Sequence, residues 1–181
     1  MERHIFLVGM PGSGKSALGR RVALKLQMPY LDTDTYLAEK TGMNTAQIFE
    51  LFGEKAFRDG ETKLLESLIN ATPGIISTGG GTPLREINRK IMKNHGFVVL
   101  IDRPIDDILM DVRAEKRPLL AQKGREEIQR IYDERMPIYK SLADETLDNG
   151  NGFQNGLAGL EAIARRLGAA VPMGQLAGRR P

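Results

Sequence analysis

The stretch GMPGSGKS, residues 9–16, follows directly on the apolar run IFLV, residues 5–8. A short apolar run that contains β-branched residues and stops at a glycine is typical of a buried strand. Beyond the glycines, apolar residues recur at helical spacing at Leu18, Val22 and Leu26. The glycines therefore form a tight turn between a strand and a helix. In such a turn, inward-facing backbone N–H groups and the positive end of the helix dipole attract an anion.

The order Gly9, four further residues and then Gly14-Lys15-Ser16 matches the phosphate-binding P-loop. In that motif we expect Lys15 to contact the β- and γ-phosphates of a nucleoside triphosphate and the Ser16 hydroxyl to hold Mg²⁺. The alternative is a glycine-rich turn with a surface lysine, but the flanking strand and helix favour nucleotide binding. The nucleotide-binding residues predicted in this turn are Gly12, Ser13, Gly14, Lys15, Ser16 and Ala17.

Size and composition restrict the remaining possibilities. The 181 residues suffice for one domain with a substantial core. The net charge of +3 suits small phosphorylated or carboxylated ligands, and without a basic run or an aromatic stripe we expect no nucleic-acid binding. The chain has no cysteine, which fits a reducing interior. No segment approaches the length of a membrane-spanning helix, so we expect a cytoplasmic protein that does not bind membranes.

Five candidate strands alternate with helical patterns along the chain. The strands are predicted near residues 5–8, 29–31, 74–77, 97–101 and 145–147. The clearest helices are predicted over 16–26, 45–52, 55–70, 84–94, 125–142 and 157–167. This alternation predicts an α/β domain with a largely parallel sheet covered on both faces. We assign residues 1–168 to this domain and expect the aperiodic segment 169–181 to be a disordered tail.

Ligands of such sheets bind at the carboxyl ends of the strands, and the segments that follow the strands carry candidate residues. Asp32 and Asp34 follow the second strand and could serve a water of the Mg²⁺ shell and a substrate hydroxyl. The alternative is helix capping, since Thr33 or Asp34 opens the following helix, and the two roles are compatible. Three glycines, residues 79–81, follow the third strand. They would let a ligand lie against bare backbone, or form only a turn before a helix that opens at Leu84.

Three arginines differ in their surroundings. Arg58 has Glu54 and Glu61 one helical turn away, so ion pairs on its own helix would explain it. Arg135 has apolar and aromatic residues one turn away and no acid, so we expect it to meet an anion from outside its helix. Arg117 lies between apparent helices and is either a solvated loop residue or a mobile finger that closes over phosphate.

Taken together, the motifs GMPGSGKS, LDTD, FRDGE, STGGG, RPLL and ERMPIY resemble those of the shikimate kinase family, which are P-loop enzymes similar to nucleoside-monophosphate kinases. The resemblance covers about residues 5–167. It implies a single-domain fold with a five-stranded parallel sheet, flanking helices and a mobile lid at about 113–124. It also implies a monomer that uses ATP and Mg²⁺ to phosphorylate the 3-hydroxyl of shikimate in aromatic amino-acid biosynthesis.

The resemblance also implies a role for individual residues. In the family pattern, Glu61 matches an acid that orients Arg58. The catalytic residues it implies are Lys15, Asp34 and Arg117. The residues it places around shikimate are Asp34, Arg58, Gly79, Gly80, Gly81 and Arg135. Ser16 and Asp32 match the metal positions, and Arg117 matches the lid arginine that closes over the transferring phosphate. Met110 and Asp111 stand where the family has an arginine that stacks on adenine, which leaves Arg113 as the nearest candidate for that contact.

Two stretches depart from the family pattern. DNGNGFQNG, residues 148–156, is rich in Asn and Gly where the family builds its adenine-binding loop, and Phe153 and Gln154 are candidates for base contacts. Gly60 lies inside a predicted helix, which it weakens by about 1 kcal/mol relative to alanine, and the sequence supplies no function for it.

Three other functions fit the residues less well. A gluconate kinase would also need arginines for a carboxylate, but the combination of DTD and GGG argues against it. A nucleotide-dependent switch protein is disfavoured because no Asn-Lys-x-Asp stretch for guanine recognition is present. A degenerate, non-catalytic relative is disfavoured because Lys15, Ser16, Asp32, Asp34 and Arg117 are all present.

Overall fold

A computed structural model of the chain describes residues 3–113 and 124–169. Its strands are β1 His4–Val8, β2 Tyr30–Asp32, β3 Ile75–Ser77, β4 Gly96–Asp102 and β5 Glu145–Asp148. Its helices are α1 Lys15–Leu26, α2 Thr33–Thr41, α3 Thr45–Leu68, α4 Glu86–His95, α5 Ile105–Arg113, α6 Arg125–Leu142 and α7 Phe153–Arg166. A single 3₁₀ turn, Thr82–Leu84, lies between β3 and α4 among these described elements.

The five strands form one parallel sheet in the order β2-β3-β1-β4-β5. β1 is central, and Ile5 is in register with Ile75 of β3 on one side and with Phe97 of β4 on the other. Since all strands run the same way, their carboxyl ends lie along one edge, where ligands of such sheets bind. The predicted α/β fold with a five-stranded parallel sheet is confirmed.

Both faces of the sheet are covered, as a buried parallel sheet requires. Successive residues of β1 point to opposite faces. Phe6 packs in one apolar cluster with residues of α3, α4 and α6, whereas Leu7 packs in a second cluster with residues of α1 and α7. The strand that leads into the glycine-rich turn is thus held rigidly between two layers of helices.

All five strands lie within one residue of their predicted bounds, whereas several helices differ. The two helices predicted over 45–52 and 55–70 are joined as α3, with a kink at Gly53, whose φ of 79° and ψ of 160° are not helical. The helix predicted from Leu84 begins at Glu86, after the 3₁₀ turn. The last helix begins at Phe153, four residues before the predicted start.

Two further predictions concern the ends of the domain and membranes. Ala169, placed by the sequence in the tail, is 9% exposed and packs in the cluster of α1 and α7; the rest of the predicted tail lies outside the described residues. Within the ranges 3–113 and 124–169, no helix is long and apolar enough to cross a bilayer.

Candidate active site

The glycine-rich turn lies at the carboxyl end of β1 and leads into α1. Gly9, Gly12 and Gly14 have φ angles of 142°, 98° and 100°, which residues with a side chain rarely adopt. A Cβ atom on Gly9 would also lie only 2.6 Å from the carbonyl oxygen of Ile101. Because α1 begins at Lys15, the turn stands at the positive end of the helix dipole. Its backbone has the conformation that an anion-binding turn needs.

The ammonium group of Lys15 lies within this turn. Its Nζ donates to the carbonyl oxygens of Gly9 and Met10, at 2.9 Å in each case, and the residue is 7% exposed. A buried cation held against the turn adds to the positive potential where phosphate groups are expected to bind.

Ser16 and Asp32 form a pair beside the turn. The Ser16 hydroxyl donates to Asp32 Oδ2 at 2.6 Å. Asp32 Oδ1 accepts the backbone N–H groups of Asp34 and Thr35, both at 3.1 Å. Asp32 is therefore the N-cap of α2, which opens at Thr33, so the helix capping expected of this segment is confirmed. The backbone at Asp32 is still extended, which lets its side chain reach back over the first helical turn.

The chemistry of this pair fits Mg²⁺. A hydroxyl and a carboxylate are oxygen donors of the kind that Mg²⁺ prefers, and this ion keeps several waters and phosphate oxygens rather than filling an all-protein cage. Within the part of the chain that the structure describes, no group of three or more His, Cys, Asp or Glu side chains converges.

A pocket of about 450 Å³ opens between the turn, β2 and the segment after β3. Arg20 of α1, which was not predicted, reaches this pocket and lies over the ring of Tyr30, 5.7 Å from its centre. The complete lining consists of Pro11, Gly12, Gly14, Lys15, Ser16, Ala17, Arg20, Asp32, Asp34, Thr35, Thr78 and Gly80.

The three glycines after β3, Gly79, Gly80 and Gly81, form what we call the glycine platform. A Cβ atom on Gly79 would overlap Asp34 Oδ1, and one on Gly81 would overlap the guanidinium of Arg58. A Cβ atom on Gly80 would lie 3.4 Å from Arg135 Nη1. The platform thus gathers three predicted acceptor-site side chains from three different helices beside the phosphate-binding turn.

Arg58 is held by two carboxylates on its own helix, as its spacing predicted. Nη1 donates to Glu61 Oε2 at 2.7 Å, and Nη2 donates to Glu54 Oε1 at 3.0 Å. Glu61 is fully buried, and its second oxygen accepts the hydroxyl of Thr82. Burial disfavours the charged guanidinium, but the bonds to Glu61 and Glu54 outweigh this effect and raise the pKa of Arg58.

Asp34 has an altered ionisation. The side chain is open to the pocket, yet the surrounding protein atoms displace much of its water. This burial, followed by the negative charges of Asp32 and Glu61, raises the pKa of Asp34 to about 6, and Lys15 and Arg58 offset only part of the effect. Asp34 is therefore mostly ionised at neutral pH but accepts a proton far more readily than an ordinary aspartate.

Arg135 and Tyr139 lie one turn apart on α6. Among the described residues, no carboxylate pairs with Arg135, which lies close to Gly80. Tyr139 is fully buried, and its hydroxyl donates to the carbonyl oxygen of Gly80 at 2.5 Å. Burial raises the pKa of Tyr139, which keeps its hydroxyl protonated as a donor. The tyrosine thus fixes the platform on which Arg135 lies.

The predicted lid, residues 113–124, lies almost entirely outside the described residues. Arg117 and residues 114–123 around it lie outside the described residues, as does the side chain of Arg113. The remaining predicted site residues are gathered along the carboxyl edge of the sheet, within the turn, around the pocket or at the glycine platform.

A family model for shikimate kinase matches residues 11–167 of this chain. The chain belongs to the shikimate kinase family. A curated shikimate kinase from Clostridium botulinum (strain Eklund 17B / Type B) is 40% identical over 151 residues, which are 83% of this chain and 90% of the relative.

Solved structures agree with this membership. The structure of shikimate kinase from Acinetobacter baumannii in complex with shikimate superposes with a TM-score of 0.81 and 31% identity, covering 91% of this chain and 92% of the other. A gluconokinase from Sinorhizobium meliloti superposes with a TM-score of 0.59 over 92% of this chain and 95% of its own, but its identity of 16% shows a shared fold alone.

Several residues in the site of this shikimate kinase family member were not predicted from the sequence, Pro11, Thr35 and Thr78 of the pocket lining among them. Thr82 binds Glu61, Tyr139 binds Gly80, and Arg20 lines the pocket. The sequence indicated Tyr139 only weakly, because it lies one helical turn from Arg135 on an aromatic face. The sequence did not indicate Thr82, because its partner Glu61 lies 21 residues earlier in the chain, nor Arg20, which is one of several basic residues of α1 with nothing to distinguish it.

Proposed function

We propose that this protein transfers the γ-phosphoryl group of ATP to the 3-hydroxyl of shikimate, giving shikimate 3-phosphate and ADP in aromatic amino-acid biosynthesis. The observation that carries the proposal is the glycine platform, around which Asp34, Arg58 and Arg135 meet beside a phosphate-binding turn in a member of the shikimate kinase family. One carboxylate and two guanidinium groups complement a polyhydroxylated carboxylic acid.

The nucleotide end of the site stabilises negative charge. The backbone N–H groups of the turn, from Gly12 to Ala17, and the ammonium of Lys15 would bind the phosphates of ATP. Ser16 would hold Mg²⁺ directly, and Asp32 would hold one of its water ligands. When bound, the ion neutralises charge on the phosphate oxygens. Because the transition state of phosphoryl transfer is largely dissociative, positioning and charge stabilisation supply most of the catalysis.

The acceptor end of the site orients the hydroxyl. Arg58 and Arg135 would bind the carboxylate of shikimate, with Glu61 fixing the direction of the Arg58 guanidinium. Asp34 would accept a hydrogen bond from the 3-hydroxyl. As the oxygen attacks phosphorus in line and the bond to ADP breaks, the hydroxyl proton would pass late to Asp34, whose pKa of about 6 suits that transfer.

Further parts of the proposal rest on the family resemblance. Arg117 would close over the transferring phosphoryl group with the lid, and Arg113 would contact the nucleotide. Closure would exclude water and suppress hydrolysis of ATP. We also propose that the enzyme acts as a cytoplasmic monomer, for which size-exclusion chromatography with light scattering is the direct test of the oligomeric state.

A coupled assay for ADP release tests the function. We expect release with ATP and Mg²⁺ to depend on shikimate, with little stimulation by gluconate or by nucleoside monophosphates. Stimulation by one of these other acceptors instead would contradict the proposed substrate while leaving the phosphoryl-transfer chemistry intact.

Substitution of Arg135 tests the acceptor site. The loss of a charge-assisted contact in Arg135→Ala should raise the KM for shikimate roughly 10- to 100-fold and leave the KM for ATP nearly unchanged. Arg130→Ala is the matched control, because Arg130 lies on the same helix but is exposed and paired with Glu127 and Glu134. An equal effect of both substitutions would argue against a carboxylate contact at Arg135.

A further inference from the structure

Asn149 follows β5 directly and begins the Asn- and Gly-rich stretch for which the sequence offered only adenine contacts. Its backbone N–H donates to the carbonyl oxygen of Asp102 at 2.7 Å, which fixes the end of β5 beside the end of β4. The residue is 9% exposed. Its side chain therefore leaves a rigid edge of the sheet and is enclosed by protein.

The side chain of Asn149 points to the glycine-rich turn. Its Nδ2 donates to the carbonyl oxygen of Ser13 at 2.7 Å, in a buried hydrogen bond. In a planar trans peptide, the C=O and the following N–H point in opposite directions. Fixing the Ser13 carbonyl on Asn149 therefore directs the Gly14 N–H away from Asn149, and Gly14 is one of the residues that line the pocket.

Two glycines make room for this side chain. A Cβ atom on Gly14 would lie 2.6 Å from Asn149 Nδ2, and one on Gly156 would overlap Asn149 Oδ1 and lie 3.1 Å from its Cγ. Gly156 lies in the first turns of α7, where a glycine weakens a helix by about 1 kcal/mol relative to alanine. The buried amide explains why a glycine stands at this helical position.

A second side chain holds the neighbouring peptide. Arg103, just beyond β4, donates through Nη1 to the carbonyl oxygen of Gly12 at 3.1 Å. Two successive carbonyl groups of the turn are thus bonded to side chains that start from the ends of β4 and β5. Of these two, Asn149 is the neutral and more deeply buried donor, and it acts on the peptide whose N–H belongs to Gly14.

We infer that Asn149 is a positioning residue for the triphosphate of the nucleotide, acting through the Ser13 carbonyl on the Gly14 N–H rather than on the adenine base. This inference rests on the proposed use of a nucleoside triphosphate at the turn. The Oδ1 atom of Asn149 has no hydrogen-bond partner among the described residues. The bond to Ser13 is therefore the hydrogen bond that orients the side-chain amide of Asn149.

The test distinguishes an effect on triphosphate binding from an effect on adenine binding. Titration calorimetry measures the affinities for magnesium tripolyphosphate, for ATP and for shikimate. For Asn149→Ala we expect tripolyphosphate and ATP each to bind about tenfold more weakly, corresponding to about 1.4 kcal/mol, and shikimate to bind as in the wild type. Asn155→Ala is the control, because the exposed Asn155 side chain donates to the carbonyl of Asn151 at the surface. It should leave the affinities for tripolyphosphate and shikimate unchanged.

A second variant protects the test against failure of the first to fold. Gly156→Ala keeps Asn149 but adds a methyl group where its Oδ1 lies, and it should weaken tripolyphosphate binding in the same way. Unchanged tripolyphosphate binding in a folded variant would overturn the inference, whether or not ATP binding falls. These affinities do not depend on the acceptor, so failure of wild-type turnover with shikimate would leave this comparison valid.

Discussion

At the scale of single residues, the ionisation of Asp34 links the proposed chemistry to pH. The pKa of about 6 is raised by burial and by the nearby charges of Asp32 and Glu61. The carboxylate is therefore the reactive form above pH 6, and it is lost as the pH falls through that value. A base with a pKa just below neutral combines a high ionised fraction with some ability to accept a proton.

The corresponding prediction concerns the acid limb of the pH profile. We expect kcat/KM for shikimate to fall about tenfold for each pH unit below about 6. Asp34→Asn should lower kcat/KM by at least about 100-fold and abolish this limb. Asp59→Asn should keep the limb, because Asp59 lies outside the pocket and the Lys55 and Arg85 side chains that bond to it lower its pKa to about 2. A flat wild-type profile down to pH 5 would contradict the assignment of Asp34.

Tyr139 gives a second prediction at this scale. Tyr139→Phe keeps the buried ring but removes the hydroxyl that donates to the Gly80 carbonyl. Since the half-buried carbonyl would lose its partner, we expect kcat/KM for shikimate to fall about fivefold, equivalent to about 1 kcal/mol, with the KM for ATP unchanged. Tyr132→Phe on the same helix is the control and should behave as the wild type. An increase confined to the KM for ATP would show that Tyr139 does not act on the acceptor site.

At the scale of secondary-structure elements, the strands were predicted better than the helices. A buried strand of a parallel sheet is an apolar run bounded by turn residues, and that pattern is local. The continuation of α3 beyond Gly53 could not be predicted from such a local pattern. The sequence correctly indicated a break at this glycine, but only the structure shows that the helix resumes in the same element after one non-helical residue. Whether a glycine ends or merely bends a helix depends on tertiary packing.

Glycines inside helices allow a matched prediction of stability. A Cβ atom on Gly60 of α3 would make an ordinary contact with Leu37 at 3.6 Å, so Gly60→Ala should raise the free energy of unfolding by about 0.5–1 kcal/mol. A Cβ atom on Gly19 of α1 would lie 2.9–3.0 Å from Leu7, Ser77 and Tyr30. Gly19→Ala should therefore lower the free energy of unfolding by about 1–3 kcal/mol.

Urea denaturation at equilibrium measures both changes. The two substitutions add the same methyl group to a helix. Changes of opposite sign in the free energy of unfolding would therefore separate the effect of packing from that of helix propensity. Destabilisation by Gly60→Ala would show instead that this glycine has a role which the contacts of the free enzyme do not explain.

At the scale of the whole molecule, the sequence predicted where the site would form because a parallel sheet brings all carboxyl ends to one edge. This rule placed Lys15, Asp32, Asp34 and the glycine platform together without any knowledge of their contacts. It could not identify Thr82 or Asn149, whose partners lie 21 and 136 residues away in the chain. Such pairings depend on how helices pack over the sheet, which local patterns do not encode.

The kink at Gly53 leads to a prediction about local opening. Before the kink, α3 has one buried residue, Ile48, whereas after it Phe57, Glu61, Leu64 and Leu65 are buried. Leu51 and Phe52, next to the kink, are 65% and 60% exposed. We expect amide hydrogens in residues 46–52 to exchange much faster than those in 57–68, because few contacts oppose their opening. Hydrogen exchange followed by mass spectrometry measures this, and equal protection of both segments would contradict it.

The glycine platform has an evolutionary consequence. A Cβ atom at any of its three positions would press on Asp34, on Arg58, or on Pro11 and Arg135. Every single-base change in a glycine codon that alters the amino acid adds that atom or ends the chain. A lineage can therefore acquire a new acceptor by exchanging the surrounding side chains, but it cannot add a side chain to the platform without disturbing them. At these three positions, the inherited feature that matters is the absence of a Cβ atom.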